Sequence, residues 1–214
     1  MQPPAWADSR RLDAIEAVVI GASAGGVDAL SEILPALRAG ADVATLVVLH
    51  LPRERPSLLV SIFAHRCVQP VREAQDKEPV EAGVIHFAPP DYHLLVDKAP
   101  EGPLLAMSND EPVNFSRPAI DVLFESAADV YGPRLMGIVL TGGNQDGAAG
   151  LQAIGSAGGV TVVQDPQQAQ VPYMPEQALA RGKIDYVLTL PQIADLLRTL
   201  GARGAGQERE KERG

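Results

Sequence analysis

The chain is 214 residues long and 46% apolar but only 4% aromatic, enough to bury one sizeable core built from Val, Leu, Ile and Ala. Its formal charge of −9, from 18 Lys and Arg against 27 Asp and Glu, argues against a nucleic-acid partner, because binding phosphates needs a basic footprint. The one cysteine, Cys67, cannot close an internal disulfide, no apolar run reaches the ~18 residues of a membrane span, and the first residues lack the apolar stretch of a signal peptide; a cytoplasmic protein with no membrane insertion is expected.

Short β-branched runs alternate with longer Ala- and Leu-rich stretches. Residues 17–20 (AVVI) predict a first strand, stopped by the glycine-rich 21–26. A helix should follow, with Val27, Leu30, Ile33, Leu34 and Leu37 on one face. Residues 45–49 predict a second strand that ends at His50, then a helix over 57–65. The runs 84–88 and 92–96, joined across Pro89-Pro90-Asp91, predict a hairpin or short strand pair. A helix over 118–130, a buried strand over 135–140 and a helix over about 148–156 come next, followed by strands at 160–163 and 186–188 and a closing helix over 191–200.

Strands that are apolar throughout and alternate with helices predict an α/β fold: a doubly wound, mostly parallel sheet with helices on both faces and a short strand pair near residues 84–96. Residues 15–200 are expected to form a single domain, flanked by a mobile N-terminus over 1–14 and a charged mobile tail over 201–214.

In such a sheet every strand-end loop gathers along one edge, where ligands bind. Ser23 follows the first strand, His50 ends the second, and Asp146 lies in the loop after the 135–140 strand. A hydroxyl, an imidazole and a carboxylate on one rim are the parts of a charge-oriented nucleophile. Ser23 lies in Gly21-Ala22-Ser23-Ala24-Gly25, the G-x-S-x-G pattern of a serine on a tight strand-to-helix turn; its ordinary alternative is a helix cap. His50 would serve as general base, and its ordinary alternative is a buried, satisfied histidine; Pro52, Arg53 and Arg55 directly after it mark a surface loop instead. Asp146 would accept the Nδ1 proton of His50, its alternative being a cap of the helix it opens, a role Asn144 could fill equally well. Backbone amides near Ala24 and Gly143 are candidates for an oxyanion site.

Other chemistries fit less well. A dinucleotide site would need a glycine where Ser23 stands, and no G-x-x-x-x-G-K-[ST] loop occurs. His50, His65, His86 and His93 with one cysteine show no metal-ligand spacing, and His86 and His93 fit better as strand residues, so neither metal nor cofactor is expected. Cys67 reads as a packing residue. The order Ser23, His50, Asp146 differs from the Ser, acid, His order of α/β-hydrolases and points to another family.

The segments 18–26 (VVIGASAGG), His50-Leu51-Pro52 and Leu140-Thr141-Gly142…Asp146-Gly147 resemble the bacterial chemotaxis receptor methylesterase family of the CheB type. So do 87–93 (FAPPDYH), 116–124 (SRPAIDVLF) and Met174-Pro175 with Ala178. The resemblance spans about residues 17–197 and implies a protein-glutamate methylesterase that hydrolyses γ-glutamyl methyl esters on the methylated cytoplasmic helices of chemoreceptors, and that can also deamidate glutamine. It maps nucleophile, base and orienting acid onto Ser23, His50 and Asp146. The chain departs from the family pattern at Ala24, where threonine is usual, and at Gly143 and Asn144, where Met-Gly is usual. About seventeen residues precede the first strand, too few for the receiver domain of many members, so a stand-alone catalytic domain controlled by a separate regulatory protein is expected. Arg53, Arg55, Arg117 and Met174 are candidates for lining the substrate groove, with plain surface or packing roles as the alternative. A catalytically impaired interaction module on the same fold, or an esterase for another substrate, stay open as alternatives.

Overall fold

The computed structural model describes residues 8–50 and 58–201; Arg53 and Arg55, and most of the two termini expected to be mobile, lie outside them. Residues 9–13, inside the stretch expected to be a mobile N-terminus, instead form a short helix, α1 (Ser9–Asp13), because Leu12 is buried in the core and Arg11 pairs with Asp185 at 2.7 Å.

A seven-stranded parallel sheet organises the chain. Its strands are β1 (Ala17–Ala22), β2 (Ala44–Leu49), β3 (Val71–Glu73), β4 (Ile85–Phe87), β7 (Leu135–Val139), β8 (Val160–Gln164) and β9 (Tyr186–Leu188), in the order β3-β4-β2-β1-β7-β8-β9. The strand pair near 84–96 is real but differently partnered. Residues 85–87 enter the main sheet between β2 and β3, while β5 (His93–Asp97) pairs antiparallel with β6 (Leu104–Ser108), a strand the sequence pattern did not signal.

Alternation along β1 sets the two layers. Val18, Ile20 and Ala22 face one core, packed with α2 (Gly26–Ile33), α3 (Leu59–Ala64) and α7 (Leu190–Leu197). Ala17 and Val19 face the other, packed with α4 (Ile120–Tyr131), α5 (Ala148–Ser156), α6 (Tyr173–Arg181) and the β5–β6 pair. Both faces are thus covered, which is why the strands are apolar without alternation.

The chain winds outward from β1 in both directions, so the strand order reverses there and opens a crevice at the carboxyl ends of β2, β1 and β7. One glycine brings the second layer close to that crevice. A Cβ on Gly21 would stand 2.3 Å from Ile120 Cγ2, so only glycine lets the first turn of α4 press against the end of β1.

Candidate active site

Three neighbouring strand ends carry the residues in question. The amide of His50, just past β2, donates to Ala22 O at 3.1 Å; the amide of Ser23, just past β1, donates to Thr141 O at 3.0 Å. Thr141 and the loop to Gly147 follow β7, so the Ser23 backbone is held between its two neighbours. Thr141 braces this arrangement further: its hydroxyl donates to Ala24 O at 2.9 Å and accepts from the Val171 amide at 2.9 Å, while Gln164 Oε1 accepts from the Thr141 amide at 2.8 Å.

His50 and Asp146 meet across the crevice, with His50 Nε2 2.8 Å from Asp146 Oδ2. The expected bond through Nδ1 is therefore corrected. The carboxylate comes from a loop two strands away, about 10 Å across the sheet, and the tip of the imidazole spans that gap better than its root. Since a carboxylate only accepts, Nε2 carries the proton, and in the neutral imidazole Nδ1 is then the acceptor.

Asp146 does not cap its own helix, whose N-cap is Gly147 with no side-chain bond. Fully buried, its carboxylate sits instead on the first turn of α4. Oδ2 also accepts from the Ile120 amide at 2.7 Å, and Oδ1 accepts from the Asp121 amide at 3.0 Å and from Asn114 Nδ2 at 3.3 Å. These amides are unpaired within the helix, so the acid satisfies them while they fix its direction. Asn144 does not cap α5 either; its Oδ1 accepts from the Asp146 amide at 3.1 Å, one residue before the N-cap.

Ser23 does not cap a helix either. The N-cap of α2 is Gly25, and among the described residues the Ser23 hydroxyl has no hydrogen-bond partner. It is not bonded to His50 in this structure; the hydroxyl 3.4 Å from His50 Nδ1 is that of Ser116. Two amides beside Ser23, those of Ala24 and Gly143, donate to no acceptor among the described residues, and Gly143 is exposed.

The other two candidates are occupied elsewhere. Arg117 donates to Asp91 Oδ1 at 3.0 and 2.7 Å and to the carbonyls of Asn109 and Asp110 at 2.8 and 3.0 Å, so it ties two rim loops together. Met174 is fully buried and packs against the loop after β7. A Cβ on Gly142 would stand 2.4 Å from Met174 Cε and 3.0 Å from Ser23 Cβ, so this position must be glycine for the loop to pass.

Asp121 went unnoticed in the sequence because it reads as one polar position on an amphipathic helix. It is the counterpart of Asp146: lying in the first turn of α4, it accepts from the Gly147 and Gly150 amides at the start of α5, at 2.9 and 2.7 Å. Asn114 Nδ2 lies 2.9 Å from Asp121 Oδ2 and so bridges the two carboxylates. Burial, aided by the nearby Asp146 charge and opposed by the α5 amides, raises the Asp121 pKa from 3.8 to about 6. The folded state therefore holds the protonated form more tightly. That stability is complete below about pH 4 and is lost as pH rises through about 6, amounting to about 3 kcal/mol at most. The unfolding free energy of Asp121→Asn minus that of the unmodified chain, followed by urea titration, should rise between these pH values; a difference independent of pH would contradict the assignment.

His86 and His93 lie in β4 and β5 as expected. His93 holds the entry to α4, its Nδ1 accepting from the Ala119 amide at 3.2 Å and its Nε2 facing Glu111 O at 3.2 Å. Cys67 packs against the core, and burial pushes its thiol up to about 11, away from the thiolate a nucleophile needs. A cavity of about 560 Å³ opens at the opposite, amino-terminal edge of the sheet, between Glu16, Asp42, Lys98 and Arg134, remote from the crevice.

Residues 18–197 match the family described as CheB methylesterase. A Leptospira interrogans protein described as a putative protein-glutamate methylesterase/protein-glutamine glutaminase is 44% identical over 181 residues, covering 85% of this chain and 92% of its own. The protein-glutamate methylesterase/protein-glutamine glutaminase of Bordetella parapertussis is 38% identical over 189 residues, covering 87% of this chain, which spans only 54% of that longer relative. The fold is similar to the crystal structure of the Thermotoga maritima CheB methylesterase catalytic domain, with a TM-score of 0.83 at 30% identity over 86% of this chain and 97% of that one.

Proposed function

The chain belongs to the CheB methylesterase family, and from that premise we propose that it hydrolyses γ-glutamyl methyl esters on chemoreceptors, with residues 15–200 as one catalytic domain. Ser23 is the nucleophile, His50 the general base and Asp146 the acid that orients it. The observation that carries this reading is the 2.8 Å His50–Asp146 pair, its carboxylate buried and anchored on the α4 amides, with a serine hydroxyl on the neighbouring strand end committed to nothing else among the described residues.

With Nε2 donating to Asp146, Nδ1 is the nitrogen that takes the Ser23 proton as Oγ adds to the ester carbonyl. Catalytic hydrogen bonds of this kind are often unmade without substrate and tighten on its binding, and the Ser23–His50 bond is taken to be one of them. The tetrahedral oxyanion is met by the uncommitted amides of Ala24 and Gly143. Collapse returns the proton from His50 to the departing methanol. Water then attacks the acyl-serine through the same base, and glutamate and free Ser23 result.

Methoxide needs less help to leave than an amine, so ester hydrolysis should exceed glutamine deamidation. Methanol and ammonia release from matched methyl-ester and glutamine receptor fragments measure the two. Methanol release well above ammonia release is expected; comparable rates would contradict the ranking, and release of neither would contradict the function.

A second reading has one observation in its favour: Ser116 Oγ is 3.4 Å from the same Nδ1 and would be the nucleophile. Against it, Ser116 also receives a bond from Asn144 Nδ2 at 3.3 Å and donates to Asn114 O at 3.4 Å, so its hydroxyl is engaged in holding the rim.

A further inference from the structure

The segment over the catalytic histidine ends in a turn whose conformation and surface run against ordinary preference. Val113 and Ser116 exchange backbone hydrogen bonds at 3.1 and 2.9 Å, which closes a two-residue hairpin turn over Asn114 and Phe115. Both central residues are left-handed, with φ of 50° and 64°. Such turns favour Asn followed by Gly; here a phenylalanine takes the second place. Its side chain is 100% exposed, so core packing does not explain it. Strain of this kind persists where the surroundings impose it, and it gathers at functional sites.

The surroundings do impose it. Asn114 bonds to both Asp121 and Asp146, Asn144 Nδ2 reaches Asn114 O at 3.4 Å, and Ser116 faces His50. The turn is thus registered to the catalytic carboxylate and imidazole on either side of Phe115, and the ring is held up into solvent at the rim.

Exposed apolar groups elsewhere gather at the same edge. Among the described residues, six of the eight exposed large hydrophobic side chains are Val27, Leu58, Tyr92, Val113, Phe115 and Tyr173. Val113 and Phe115 are in this turn, and the other four lie in segments that leave the carboxyl ends of β1, β2, β4 and β8. Exposed apolar side chains on the loops around a polar centre fit a partner that is itself a folded polypeptide surface rather than a small soluble ester.

We propose that Phe115 is the anchor of the protein-substrate interface, its ring inserting between apolar side chains of the polypeptide that carries the glutamyl ester, beside the ester itself. The inference rests on the reading of the site as a protein-glutamate methylesterase. An exposed aromatic anchor that becomes buried on binding carries a large share of the affinity.

The test compares kcat/KM for methanol release from a methylated receptor fragment with that from a small ester, N-acetylglutamate γ-methyl ester amide. For Phe115→Ala the ratio of protein to small-ester efficiency should fall about ten-fold or more, through KM on the protein substrate. Phe115→Leu should restore most of that ratio. Phe115→Gly, which suits the left-handed backbone, should lower the ratio as Phe115→Ala does without lowering the melting temperature. An unchanged ratio, with both efficiencies kept or both reduced alike, would overturn the proposal. Binding of the esterified fragment to the Ser23→Ala protein, with and without Phe115→Ala, separates the two levels. If the unmodified chain releases no methanol, the function fails; loss of binding with Phe115→Ala would still uphold the anchor, and unchanged binding would overturn it.

Discussion

Ser23→Ala should reduce methanol release from a methylated receptor fragment by about 10⁴-fold or more, while Ser116→Ala should stay within about ten-fold of the unmodified chain. The contrast follows from what each hydroxyl does. Ser23 Oγ has no partner among the described residues, and removing it leaves the backbone bond to Thr141 O intact. Ser116 Oγ accepts from Asn144 and approaches His50 Nδ1, so its loss loosens the rim but takes no atom from the bond being made. Initial rates at saturating substrate, with circular dichroism to confirm folding, check both variants. A large loss in Ser116→Ala with Ser23→Ala near the unmodified rate would shift the nucleophile to Ser116.

Asp146→Asn should be the second most damaging change, lowering kcat by about 10³- to 10⁴-fold. The carboxylate accepts from His50 Nε2 and Ile120 N through Oδ2, and from Asp121 N and Asn114 Nδ2 through Oδ1. An amide keeps one oxygen and turns its NH₂ toward two of these donors. If the oxygen takes the Oδ1 place, with Asp121 N and Asn114 Nδ2, the NH₂ faces Ile120 N and His50, so His50 must present an unprotonated Nε2 and move its proton to Nδ1, where it can no longer accept from serine. If the oxygen takes the Oδ2 place, His50 keeps its proton on Nε2, but the buried Asp121 amide and Asn114 Nδ2 face the NH₂ and lose their acceptor. Either way the base is in the wrong tautomer or the loop is displaced. Methanol-release kinetics measure the loss, and a fall of less than ten-fold would show that the acid does not orient the base.

Much of the fold was legible because the strands are short, apolar and stopped by glycine or proline. The parallel sheet and the three strand ends bearing Ser23, His50 and Asp146 follow from that punctuation, while the central place of β1 comes from the strand order of the folded chain. Partnering was less visible. Pro89-Pro90-Asp91 resembles a hairpin turn, yet Ala88 N donates to Val47 O and β4 is claimed by β2, leaving β5 to find β6 beyond a loop. Helix α6 escaped notice because Pro175 interrupts its pattern, although a proline in the first turn removes an amide that would have gone unpaired.

At the site, sequence position identifies groups that share a rim but not which atoms meet. The Nε2 rather than Nδ1 contact depends on how far a ring must reach across β1, and the reciprocal seating of Asp146 on α4 and Asp121 on α5 depends on two helices crossing. Neither is a local property. Asn114 and Phe115 were silent for the same reason: only the folded chain brings residue 114 against residues 121 and 146.

The central claim is that Ser23 is activated by the His50–Asp146 pair, and covalent capture tests it most directly. The full chain is treated with an aryl fluorophosphonate, and the modified residue is located by peptide mass spectrometry. A single adduct on Ser23, abolished by His50→Ala, is the predicted result; an adduct on Ser116, or labelling of Ser23 that persists without His50, would contradict it.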